Sequence, residues 1–232
     1  MKESAIEKML RIETSKSETR MDKVKQYNRY EPTPYVALEK LFKNYEIDYK
    51  DFFVDFGSGK GRFSFFVNYF FNSGCTSVEI VEEFHNKALK NYESYVKRNP
   101  KAVGKLFFVN SYAEKYEISK FENKFYFFDP FSVNIFMGIV NKIIKSVELN
   151  NREVDIILYY PSMDYITFLE RKTAFEHIMD IYLDASTKNP REKFAIYRFG
   201  ERNNRRLENE CLIGINIKTI VYQRNIICEK NK

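Results

Sequence analysis

Asp55-Phe-Gly57-Ser58-Gly59-Lys60-Gly61-Arg62 brings a carboxylate, three alternating glycines and two cations together at one point of the chain. The apolar run 52–56 precedes it and the apolar run 63–71 follows, so the glycines lie where a strand turns into a helix. A backbone that turns there while approaching a ligand needs freedom of φ and no side chain, and Gly57, Gly59 and Gly61 supply both. Asp55 stands two residues before the first glycine, at the carboxyl end of the strand, where ligands of open α/β sheets bind. A carboxylate in that position repels phosphate and suits a sulfonium or an amino group.

Spacing argues against two other nucleotide loops. A dinucleotide fingerprint needs G-x-G-x-x-G to seat a pyrophosphate on a helix N-terminus, whereas this loop reads G-x-G-x-G behind an acid. A phosphate-binding P-loop needs Ser or Thr after its lysine, and Lys60 is followed by Gly61. A nicotinamide-dependent oxidoreductase is thereby disfavoured. No Ser/His/Asp or Cys/His set supports a hydrolase. Cys75, Cys211 and Cys228 are far apart, as are His85 and His177, so neither a disulfide framework nor a metal centre is expected.

The elements that must position the loop follow from hydrophobic periodicity. Strands are expected over 52–56, 76–81, 106–109, 124–128 and 155–160, with helices over 62–71, 83–97, 132–147 and a short one near 111–116 between them. This alternation implies a doubly wound, mostly parallel α/β sheet. Residues 164–172 read as a helix, and 174–183 and 193–199 as two strands able to form an antiparallel edge. Ahead of the sheet, Pro32 and Pro34 force an extended path into a helix over 35–45. Ile6, Met9 and Leu10 space a short amphipathic helix in an N-terminal arm, 1–26. One domain is expected over 27–200, with a C-terminal extension over 201–232 packed on it, whose apolar stretch 211–228 reads as one or two added strands.

The loop resembles the first motif of class I S-adenosylmethionine-dependent methyltransferases, acid-x-G-x-G-x-G. The resemblance implies a Rossmann-like seven-stranded sheet, S-adenosylmethionine as cofactor and S-adenosylhomocysteine as product, with Asp55, Gly57, Ser58, Gly59, Gly61 and Arg62 lining the cofactor site. It further implies that Glu79, twenty-four residues after Asp55, binds the ribose hydroxyls from the end of the second strand. A polar residue after the third strand touches the adenine in such proteins; here that is Asn110 with Ser111, though Asn110 could equally cap the next helix. Asp129-Pro130-Phe131 is similar to a shortened (D/N)-P-P-(Y/F) motif of nitrogen methyltransferases. By that likeness Asp129 accepts the target N–H and Phe131 stacks on a planar target; a turn with Asp129 as cap is the competing account. Arg29-Tyr30-Glu31-Pro32-Thr33-Pro34 is similar to a Y-x-P-T element of some small bacterial members, which places Tyr30 and Thr33 over the methionine end or, alternatively, in a plain linker. Tyr160, at the end of the fifth strand, is expected on the same sheet edge and could help remove a proton.

Charge is uneven. The net charge is +6, and residues 188–232 hold eleven Lys/Arg against five Asp/Glu, so the excess lies wholly in this C-terminal stretch. The cluster 198–206 could hold nucleic-acid phosphates, or be a solvated loop. No membrane-spanning run or signal peptide is expected, and a cytoplasmic location follows. The expected activity is methyl transfer to a nitrogen of a protein or nucleic-acid acceptor. The alternative is a nucleic-acid-binding module that keeps the fold without transfer.

Overall fold

The computed structural model describes residues 3–15, 30–183 and 189–200. The expected strands from 211–228, and the extension as a whole, lie outside the described residues.

Five parallel strands form the centre: β1 (Phe52–Phe56), β2 (Gly74–Glu79), β3 (Leu106–Asn110), β4 (Lys124–Phe127) and β5 (Val154–Tyr159). With β6 (Glu176–Tyr182) and β7 (Lys193–Phe199) they make a seven-stranded sheet in the order β3-β2-β1-β4-β5-β7-β6. The reversal of order at β1/β4 is the switch point at which the carboxyl ends of neighbouring strands open a crevice. β7 is antiparallel to both β5 and β6, so the antiparallel strand is inserted next to the edge, not at it. This is the doubly wound, mostly parallel sheet anticipated from the alternation, with the seven Rossmann-like strands that the resemblance implies.

The helices are α1 (Glu3–Leu10), α2 (Tyr35–Asn44), α3 (Arg62–Phe71), α4 (Glu82–Val96), α5 (Val133–Leu149) and α6 (Met163–Lys172). Strand alternation sorts side chains between two apolar layers. Phe53, Cys75 and Tyr126 pack on one face with α1, α2 and α3, while Val54, Phe125 and Phe127 pack on the other with α5 and α6. Both layers are aromatic. Phe63 stacks on Tyr126 at 3.9 Å and Phe136 on Tyr165 at 3.8 Å, arrangements that add to the gain from burial alone.

Two expected elements differ. The second strand begins and ends two residues before the expected span, because the turn at Asn72, at φ 59°, leads almost directly into β2 and the chain turns again after Glu79. The helix expected near 111–116 is a single 3-10 turn, Ala113–Lys115, too short to cover a strand.

At the amino ends of β4 and β5, the fully buried Asp155 accepts from Lys124 Nζ at 2.6 Å, from Arg198 Nε at 2.7 Å and from the Tyr45 hydroxyl. This cluster ties α2, β4, β5 and β7 together at the end of the sheet remote from the glycine loop. Among the described residues, no helix is long and apolar enough to cross a membrane.

Candidate cofactor and acceptor site

The glycine loop joins β1 to α3 at the switch point. Gly57 and Ser58 donate their amides to the carbonyl of Val78 at 2.9 and 3.2 Å, which moors the loop to β2. Gly57 has φ +77°, and a Cβ there would lie 2.6 Å from Pro130 Cβ, so the β4 motif rests directly on the loop. Gly59 has φ +55°, and a Cβ there would fall 2.0 Å from the Tyr30 ring. Neither backbone conformation nor clearance admits a side chain. Gly61 caps the start of α3.

Two acids face this loop. Asp55 is 4% exposed at the end of β1, and none of the described residues donates a hydrogen bond to its carboxyl. Burial, then the nearby Glu79, pushes its pKa well above the carboxylate range. A buried carboxyl without a donor is costly unless a ligand completes it. The Ser58 hydroxyl, within the loop, is likewise buried without a partner. Glu79 accepts from the Gly59 amide at 2.8 Å and the Val81 amide at 2.8 Å. These bonds give Glu79 the task of holding the loop.

Arg62 is placed differently from the expectation that it lines the cofactor site. Its buried guanidinium points into the N-terminal segment, donating to Thr14 Oγ1 at 2.7 Å, Glu3 Oε2 at 2.6 Å, Ser15 Oγ at 3.0 Å and the Thr33 carbonyl at 3.1 Å. It also stacks over Tyr35 at 4.3 Å. The donors of Arg62 are thereby spent on anchoring α1 and its following turn beside the loop. Sequence reasoning missed Glu3, Glu7 and Thr14; the only signal was an i, i+4 pair of acids in a short amphipathic helix.

Tyr30 does reach the loop. Its ring lies on Gly59 and 4.8 Å from Phe84, and its hydroxyl donates to the Thr14 carbonyl at 2.9 Å. Thr33 is buried beneath, its hydroxyl 2.6 Å from that of Tyr126. Asn110 ends β3 and donates to the carbonyls of Glu79 and Ile80 at 2.8 and 3.2 Å, so its amide braces the β2 terminus, and Ser111 follows with its hydroxyl on the Tyr112 carbonyl.

Past β4 and β5, Asp129 and Tyr160 both hold left-handed backbone, at φ 39° and 51°. Non-glycine residues do so only when their surroundings enforce it. Here Arg191, from the β6–β7 connection, bridges the two. It donates to Asp129 Oδ2 at 2.6 Å, to the Tyr160 carbonyl at 3.1 Å and to the Pro161 carbonyl at 3.1 Å, with its guanidinium 4.5 Å from the Tyr160 ring. Asn189 completes the clamp by donating to the Tyr160 hydroxyl at 2.6 Å. Partial burial raises the Asp129 pKa although Arg191 opposes it. No local spacing announces Arg191.

Phe131 departs from its expected role. It is 2% exposed, packs edge-on against Phe127 at 6.0 Å, and its carbonyl accepts from the Tyr165 hydroxyl at 2.5 Å. After Pro130 the chain reaches α5 through Phe131 and the N-cap Ser132, and the Phe131 ring lies in the core.

No protein-family model and no curated protein sequence matches the chain. Among solved structures it is similar to a putative RNA methyltransferase from Pyrococcus horikoshii, with TM-score 0.52 and 16% identity over 87% of this chain and 100% of that one. A putative tRNA methyltransferase from Streptococcus pneumoniae gives TM-score 0.50 and 12% identity over 71% and 69%. Another Pyrococcus horikoshii protein gives TM-score 0.50 and 12% identity over 72% and 89%. At these identities the likeness is one of fold.

Proposed function

We propose that the chain is a class I methyltransferase that takes S-adenosylmethionine and transfers its methyl group to a nitrogen of a macromolecular acceptor. The observation that carries this reading is Asp55, a buried carboxyl to which none of the described residues donates, beside a glycine loop whose Ser58 hydroxyl has no partner among them either. That donor set fits a cationic amino acid joined to a nucleoside. Asp55 would take the amino or sulfonium end, the Gly57–Gly61 backbone the close approach, and Glu79 the ribose diol. Tyr30 and Thr33 would close the site from the N-terminal side.

The cofactor supplies an electrophilic methyl group, so the chain's task is to position a nitrogen lone pair, exclude water and accept a proton. Asp129, next to the Pro130 that lies against the loop, would orient an N–H, and Tyr160, held by the same Arg191, would flank it. Fold neighbours described as RNA and tRNA methyltransferases support a nucleic-acid acceptor over a protein. Calorimetric titration with S-adenosylhomocysteine tests the cofactor: binding is expected, and its absence, or binding indifferent to Asp55→Ala, would refute it.

A second reading, a nucleic-acid-binding module without transfer, draws on two observations. Tyr30 lies on Gly59 where a ligand would approach, and Arg191 already occupies Asp129. Incubation with tritiated cofactor and fractionated lysate separates the readings, since label in RNA or protein excludes the second.

A further inference from the structure

The sheet is covered unevenly. Helices α3 and α4 join β1 to β2 and β2 to β3, and α5 joins β4 to β5 on the other face. The β3-to-β4 connection, which packs on the α5 side, carries only the 3-10 turn Ala113–Lys115. The β1–β3 part of that face is left with an apolar groove of about 380 Å³, lined by Phe52, Thr76, Phe107, Val109, Phe121 and Glu122. Phe107 is 46% exposed and Phe121 70%. Parallel sheets are covered on both faces, and an exposed apolar patch of this kind marks a place where something docks.

The course of the chain identifies what docks. β7 runs antiparallel to β5 with Phe199 opposite Val154, so the chain leaves its last strand at the amino ends of the parallel strands. Phe52, the first residue of β1, puts the groove at that same end. A Cβ on Gly200 would lie 2.3 Å from the Arg152 carbonyl, and the Arg152 guanidinium donates to the carbonyls of Glu122 at 2.9 Å and Ser119 at 3.3 Å. Both acceptors belong to residues that line the groove. The length of one arginine therefore separates Gly200 from its rim.

Beyond Gly200 the sequence holds the apolar stretch 211–228, in which Ile213, Ile215 and Ile217 alternate with Gly214, Asn216 and Lys218. That period suits a segment with one face buried. Cys211 follows Gly200 by eleven residues, a tether that spans up to roughly 35 Å when extended.

We infer that the groove is the docking site of the chain's own segment 211–228, which lies outside the described residues. The segment supplies the cover that the β3–β4 connection lacks.

Amide hydrogen exchange on the full chain tests this. In an Ile213→Asp/Ile215→Asp/Ile217→Asp variant, exchange over 106–110 and 116–123 is expected to rise about tenfold, with β4 and β5 unchanged. Unchanged exchange over 106–123, or a rise confined to other segments, overturns the inference. As a second measurement, the otherwise wild-type Phe121→Cys variant is oxidised with copper phenanthroline and mapped by mass spectrometry. A disulfide from position 121 to Cys211 or Cys228 within one chain supports the docking. Linkage only between chains assigns the groove to a second copy, and no linkage to either cysteine leaves the segment elsewhere; both overturn it.

Discussion

Arg191 Nη2 lies 2.6 Å from Asp129 Oδ2, so the connection between the last two strands fixes the end of the fourth. The same guanidinium holds Tyr160 after the fifth. Two left-handed residues just past the ends of neighbouring strands thus share one side-chain partner, sixty-two residues from the first of them.

Arg191→Ala is therefore expected to damage transfer more than folding. The pair is partly exposed, at 39% and 21% of its side chains, so its loss costs no more than about 1 kcal/mol of stability. With the clamp gone, Asp129 and Tyr160 relax toward ordinary backbone. Methyl transfer into extract should fall by at least about tenfold, roughly 1.4 kcal/mol in the barrier. The S-adenosylhomocysteine affinity should stay within about twofold, because the cofactor loop does not touch Arg191.

Asp55→Asn should separate stability from binding. The carboxyl pKa is raised in the folded protein, so the folded state holds its proton more tightly than the unfolded one. Its contribution is fully present below the unfolded carboxylate pKa and is lost as pH rises through the folded value. Above the unfolded carboxylate pKa the buried carboxyl is therefore a burden on the free protein, and the Asn variant should melt at a higher temperature. Cofactor affinity should drop in the variant and lose its decline toward acid pH. Calorimetry across pH reads both; a lower melting temperature with unchanged affinity would contradict the assignment.

Gly59→Ala meets two obstacles, the positive φ and the Tyr30 ring. The backbone alone costs about 1 kcal/mol, and the ring must move as well. Urea titration should show a loss of about 1–2 kcal/mol. Adding Tyr30→Ala should recover part of it, since only the clash is relieved.

Asp155→Asn should be the most damaging of these changes. It leaves Lys124, nearly as buried, without its counter-charge, and removing one partner of a buried pair costs about 3–5 kcal/mol. Burial pushes the Asp155 pKa up, but Arg198, Lys124 and Tyr45 together hold it below the carboxylate range. Its stabilisation is therefore present above the unfolded pKa and lost as pH falls through the depressed folded value. Wild type should lose stability at acid pH with a slope that the Asn variant lacks, measured by thermal melts from neutral to strongly acid buffer.

Much of the site was legible because its causes are local. A strand-to-helix turn that closes in five residues needs glycine at Gly57, Gly59 and Gly61, and the acids at Asp55 and Glu79 sit at strand ends that two-residue alternation locates. Phe131, two residues before α5, has its ring in the core against Phe127, a placement that no local spacing records.

By itself the sequence determined the order of strands and helices, the parallel sheet, and the loop with its two carboxylates, because hydrophobic period and backbone sterics act over a few residues. Only the tertiary structure decided that Arg62 anchors the N-terminal helix, that Glu79 holds the loop, and that Arg191 clamps Asp129 and Tyr160. Those bonds join residues twenty to sixty-two positions apart. Their partners are selected by which strand ends the sheet order makes neighbours, and no local spacing records that order.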